Sequence, residues 1–201
     1  MVPIVILLVW SLSIYQFLTE IPWSIHISKH PNMLFHYSTS LEKAPCRFSK
    51  ANFNGAIFYE NGYSGVGVVV KDEWGNFVAG ISHKILGILS PKVIEAYAGK
   101  FAISSSLKLK ILKIILEGDS LKIINMLKNM KADDSASGVL LDDILISLQN
   151  FITWEANWVP KNLNVLAHLL VRNASSISDI CSWRYFPPYF LSSTITADLS
   201  S

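Results

Sequence analysis

Residues 50–85 read KANFNGAIFYENGYSGVGVVVKDEWGNFVAGISHKI, and this stretch decides the fold. Three strand-like runs, Asn52 to Phe58, Gly65 to Lys71 and Phe77 to Ile85, are separated by glycine-containing turns, which predicts an antiparallel meander. Val66, Val68 and Val70 alternate with Gly67 and Val69 as the two faces of a strand should. The reversal Asp72-Glu73-Trp74-Gly75-Asn76 carries the Gly and Asn that a tight turn favours. Gly62, Gly65 and Gly67 faintly suggest a dinucleotide loop, but no helix follows them, so they read as glycines in and beside a strand.

Downstream the period changes from two to 3.6. Ser90 and Pro91 supply a cap and a first helical residue, and Val93, Ile94, Tyr97, Ala98, Phe101 and Ala102 follow at helical spacing. Ile111 to Leu116 is a short apolar run broken only by Lys113, expected as a strand buried on both faces. Ser120 to Met130 and Val139 to Phe151 read as helices, Thr153 to Val159 as a last strand and Leu163 to Ala174 as a closing helix. The order βββαβααβα implies an α/β domain with a mixed five-stranded sheet and helices on its faces.

A chain of 201 residues has room for one domain of ordinary size with flanking segments. We expect an apolar N-terminal segment over 1–22, a linker over 23–48, the domain over 49–176 and a tail over 177–201. Residues 1–19 contain no charge and approach the length of a membrane span, so a membrane anchor is one reading of them. They lack a basic n-region and are diluted by Pro3, Ser11, Ser13 and Gln16, so an apolar segment packed on the domain is another. His26, His30 and His36 lie in the linker at spacings that do not place them on one rigid face. Cys46 and Cys181 are far apart and follow no metal-ligand spacing, which argues against a zinc site or a disulfide framework and for a reducing, intracellular compartment. Charged residues make up 16% of the chain with a net charge of +2, so no global basic field announces a nucleic-acid partner. Between Lys100 and Lys131, seven lysines face only Glu117 and Asp119, which is either a basic patch or a solvated helix face.

In such an architecture, strand ends and the edge of the first helix meet in one cleft. Asn54, Glu95, Asp119 and His168 are the polar residues this brings together. Gathered carboxylates repel one another unless a divalent cation neutralises them, and hard oxygen ligands select magnesium or manganese. Two such ions activate water and stabilise the leaving oxygen of a phosphodiester. From spacing alone, Glu95 reads equally as a helix-rim acid, and Asp119 with Ser120 as a cap for the next helix.

Five blocks in order carry a more specific signal. They are Lys50-Ala-Asn52-Phe-Asn54-Gly55-Ala56, Gly65-Val-Gly67-Val-Val-Val-Lys71-Asp72-Glu-Trp-Gly75, Ile94-Glu95-Ala96-Tyr-Ala98, Glu117-Gly118-Asp119-Ser120, and Val159-Pro160-Lys161-Asn-Leu-Asn164-Val-Leu-Ala167-His168-Leu169-Leu170. Together, over about 125 residues, they resemble the plant ribonuclease H-like domains related to the reverse transcriptases of non-LTR elements. Trp183, followed by Pro187 and Pro188, has a counterpart there too.

The resemblance implies an RNase H-like fold that binds RNA paired with DNA, and in active members cuts the RNA strand with two Mg2+ or Mn2+ ions. It assigns Asn54, Glu95, Asp119 and His168 to catalysis and the first three to the metal, and it sets Gly55, Ala56, Lys161 and Asn164 beside the nucleic acid. The chain departs from the family's pattern at Asn54, where an aspartate belongs, at Lys161 in place of arginine, and at Ile94 and Gly99 in the first helix. An amide keeps a neutral oxygen but loses the charge that bridges two metals, so activity is expected to be impaired. Three functions compete: an RNA-DNA hybrid ribonuclease, a non-catalytic module that binds hybrid or RNA, and a membrane-tethered interaction protein that would sediment with membranes through residues 1–19. The expected assembly is a monomer.

Overall fold

A computed structural model describes residues 48–130 and 136–198. The expected anchor, its alternative readings and the linker histidines lie outside the described residues. Among the described residues, no helix is long and apolar enough to cross a membrane.

The meander forms as β1 (Ser49–Phe58), β2 (Tyr63–Lys71) and β3 (Phe77–Leu86), each antiparallel to the next. Asp72 shapes the second reversal, its Oδ1 accepting from the backbone N–H groups of Trp74 and Asn76 at 3.0 and 2.8 Å. β4 (Lys113–Gly118) lies parallel to β1, and β5 (Thr153–Trp158) parallel to β4. The helices are α1 (Pro91–Lys108), α2 (Leu121–Lys128), α3 (Ala136–Leu148), α4 (Val165–Asn173) and α5 (Ser192–Asp198). Ser90 caps α1 as its sequence suggests, its side chain accepting from the Val93 N–H at 3.3 Å.

The sheet has six strands where five were expected, in the order β5-β4-β1-β2-β3-β6. The sixth, β6 (Ile180–Arg184), comes from the segment read as a tail and pairs antiparallel with β3. It is held there because it covers the open edge of the meander and buries Trp183 against Val69, Leu166, Leu170 and Leu191.

The faces of β2 differ as the alternation foretold. Val66, Val68 and Val70 join the main core with Phe53, Phe101 and Leu116, whereas Val69 belongs to the smaller core under α4. Gly67 lets α4 approach. A Cβ there would lie 2.2 Å from the Ala167 carbonyl oxygen and 2.6 Å from the Val171 nitrogen, too close for any side chain. β4 is not buried on both faces as expected. Its burial alternates, because α4 covers β1, β2 and β3 and leaves Ile115 and Glu117 half-covered.

Candidate functional site

Strand register decides which side chains converge. Asn54 is the cross-strand partner of Gly67, so its side chain points to the face on which α4 lies. β4 carries Gly118 toward the main core, and the next residue, Asp119, turns toward the same face as Asn54. His168, one turn into α4, meets both. The Asn54 Nδ2 lies 3.0 Å from His168 Nδ1, and His168 Nε2 lies 3.0 Å from Asp119 Oδ2. A carboxylate only accepts, so Nε2 carries the hydrogen that it donates to Asp119. Nδ1 then offers a lone pair to the amide NH2 of Asn54, and the three side chains form one directed chain of hydrogen bonds.

Glu95 reaches the site from α1. Its Oε2 accepts from the Gly55 N–H at 3.3 Å. Gly55 is needed here, because a Cβ would lie 2.6 Å from the Ile94 carbonyl oxygen and push α1 off β1. Burial and then the negative charge of Asp119 push the Glu95 carboxyl up to about 8, the Gly55 N–H opposing them in part. Burial also pushes the Asp119 carboxyl up, but its hydrogen bond and charge interaction with His168, a backbone hydrogen bond and Lys161 outweigh it and bring it below its ordinary value.

The residues expected beside nucleic acid are placed differently from one another. Lys161 is exposed and near enough to Asp119 to act on its carboxyl. Gly55 and Ala56 are half-buried within β1. Asn164 is 1% exposed, and its Nδ2 donates to the Phe53 carbonyl at 2.9 Å, so it ties the start of α4 to β1 rather than facing outward. Two side chains beside these residues were given no role from the sequence. Asn52 donates to Glu117 Oε2 at 2.9 Å, whose other oxygen lies 3.2 Å from Lys50 Nζ. Trp158 donates its Nε1–H to the Asp119 backbone carbonyl at 3.0 Å. An aromatic residue closing the strand beside Gly118 was the available signal.

Metal fit can be tested on the donors. The Oδ1 of Asp119 is buried without a hydrogen-bond partner among the described residues, which suits a hard cation. Against this, Asn54 turns its NH2 into the hydrogen-bond chain, and its amide brings no charge to bridge two ions. Among the described residues, no group of three His, Cys, Asp or Glu is disposed to hold a metal ion. The donor set falls one carboxylate short of a two-ion centre and does not fit one.

Residues 52–174 match a family model described as reverse transcriptase-like. No curated protein matches the chain significantly. Among solved structures, ribonuclease H1 from the halophilic archaeon Halobacterium salinarum NRC-1 is 24% identical with a TM-score of 0.56, over 64% of this chain and 97% of that one. The N-terminal ribonuclease H domain of a Mycobacterium tuberculosis protein is 18% identical with a TM-score of 0.59, over 65% and 94%. LC11 ribonuclease H1, solved in complex with an RNA/DNA hybrid, is 21% identical with a TM-score of 0.58, over 65% and 99%. These likenesses establish the fold.

Proposed function

Because the chain belongs to the reverse transcriptase-like family, we propose that its ribonuclease H-like domain binds RNA paired with DNA, or RNA alone, and that Asn54 disables or severely weakens the hydrolytic centre. The single observation that carries this reading is the Asn54 to His168 hydrogen bond. An amide NH2 stands where the chemistry of two-ion hydrolysis needs an anionic oxygen, and it is already engaged by a histidine. Cleavage would require positions 54, 95 and 119 together to hold two Mg2+ or Mn2+ ions, which would supply activation of water and stabilisation of the leaving oxygen. With one of those positions neutral, the ions are held weakly or not at all.

Binding does not depend on the same atoms. Nucleic-acid affinity comes largely from lysines and backbone groups that meet phosphates. Lys161 is exposed near Asp119, and Lys122 is exposed at the start of α2, three residues past Asp119. This supports retention of binding without hydrolysis.

The test is cleavage of an end-labelled RNA/DNA hybrid by the full chain and by its Asn54→Asp variant, with magnesium or manganese, alongside binding of the same hybrid. We expect both proteins to bind and only the variant to cut. Cutting by the natural chain at a comparable rate would overturn the charge argument, and absence of binding by both would overturn the nucleic-acid reading.

A further inference from the structure

We infer that the exposed indole of Trp158 is a stacking platform for an unpaired nucleotide of the bound nucleic acid, which makes single-stranded RNA, or a strand with an unstacked base, the preferred ligand. The inference rests on the nucleic-acid reading above and adds the class of ligand to it.

Trp158 ends the edge strand β5. Its same-face neighbours Trp154 and Ala156 pack on the main core, yet Trp158 itself is left 46% exposed. Its one polar group is already satisfied, since Nε1–H donates to the Asp119 carbonyl. What the residue leaves exposed is therefore largely aromatic surface with no remaining side-chain hydrogen-bond demand. The same bond fixes the ring relative to Asp119, whose carboxylate is held by His168 at 3.0 Å. A ring held in advance loses little conformational freedom when something stacks on it.

The surroundings indicate which planar ligand fits. Lys161 follows three residues later and acts electrostatically on Asp119, and Lys122 is exposed at the start of α2, directly after the Asp119 turn. Exposed aromatic surface bonded to the Asp119 turn, with cations near the same turn, matches a base with its phosphates. Inside a duplex each base is stacked on both sides, so an indole finds a free face only where a nucleotide is unpaired, flipped or terminal. The preference for an unpaired nucleotide follows from that.

The test compares the full chain with its Trp158→Leu and Trp158→Phe variants, using a short labelled single-stranded RNA and a long blunt-ended RNA/DNA hybrid in fluorescence anisotropy titrations. Both variants lose the Nε1–H bond to Asp119, so the difference between them isolates the aromatic face. We expect Trp158→Leu to weaken single-strand binding by about 5- to 150-fold, the loss of one base-aromatic stack. Trp158→Phe should retain most of the affinity, and hybrid binding should change little in either variant. Equal affinity of Trp158→Leu and the natural chain for the single strand would overturn the inference, as would equal losses on both ligands. A natural chain that binds hybrid but not single strand overturns the inference alone, while one that binds neither overturns the functional reading with it.

Discussion

Asn54→Asp should make the stability of the folded protein depend on divalent cations, a dependence the natural chain is expected to lack. Asn54 is 3% exposed, and its NH2 donates to His168 Nδ1. An aspartate cannot donate, so the contact survives only if His168 takes a second proton and sits between two carboxylates. The new charge also joins Asp119 and Glu95, whose carboxyl burial and Asp119 already push up to about 8. Two like charges about 5 Å apart at an effective dielectric constant of about 20 repel by about 3 kcal/mol. A protonated imidazole would return part of that, leaving a net cost of about 1–3 kcal/mol without metal. A cation present at about one hundred times its dissociation constant would return about 2.7 kcal/mol. Equilibrium urea unfolding of both full-length proteins, in chelator and in magnesium, measures each quantity. The reasoning fails if the variant is as stable as the natural chain in chelator, or if magnesium stabilises the natural chain to the same degree.

Three further outcomes follow from packing and burial. Gly67→Ala should cost about 2–4 kcal/mol in denaturant unfolding, because its Cβ would meet backbone atoms of α4 that cannot swing aside; an unchanged midpoint would show that α4 is not seated on β2 as described. Gly99→Ala should stabilise by about 1 kcal/mol, raising the thermal midpoint by roughly 3 °C, since the nearest atom to an added Cβ is the Phe53 ring at 3.5 Å, an ordinary contact; a loss of stability would mean the α1 to β1 packing is tighter than it stands. His83 faces Asp179 at 3.5 Å and the rings of Tyr97 and Phe101, and burial lowers its pKa to about 4 against the partial opposition of Asp179. The unfolded chain therefore takes up a proton that the folded one refuses, and stability contributed by neutral His83 is complete above about pH 6.5 and lost as pH falls toward 4, to roughly 3 kcal/mol. A His83→Gln variant should show a shallower decline than the natural chain over that window, and identical slopes would count against the assignment.

Much of the fold was legible because local signals agreed with one another. The Asp72 to Asn76 turn, the alternation of Val66, Val68 and Val70 and the Ser90-Pro91 cap each specify an element without help from distant residues. β6 was not legible for the opposite reason. Ile180 to Arg184 has no extended alternation, and it is a strand because the edge of β3 is there to pair with it. The site divides the same way. Asn54 and His168 are 114 residues apart and His168 and Asp119 are 49 apart, separations that no periodicity reports. Resemblance between motifs brought them together on paper, and the register of Asn54 with Gly67 supplies the physical reason. The burial of Asn164 was not legible either, since only the Phe53 carbonyl, 111 residues away, explains it.

The framework that places these residues and the charges that would act on a substrate are separable. Gly55 against the Ile94 backbone, Gly67 against α4 and Asn164 on the Phe53 carbonyl fix where positions 54, 95, 119 and 168 stand, and none of these contacts needs a metal ion. An amide at position 54 therefore leaves the architecture intact. It also suits a protein without bound metal better than a carboxylate does, since it completes the hydrogen-bond chain through His168 to Asp119 and adds no buried charge to be neutralised. The features that would meet a nucleic acid, Lys161 and the exposed surface of Trp158, lie outside that chain. On the proposed reading, hydrolysis and binding would rest on different atoms of the same fold, and a single neutral residue would remove the first while leaving the second in place.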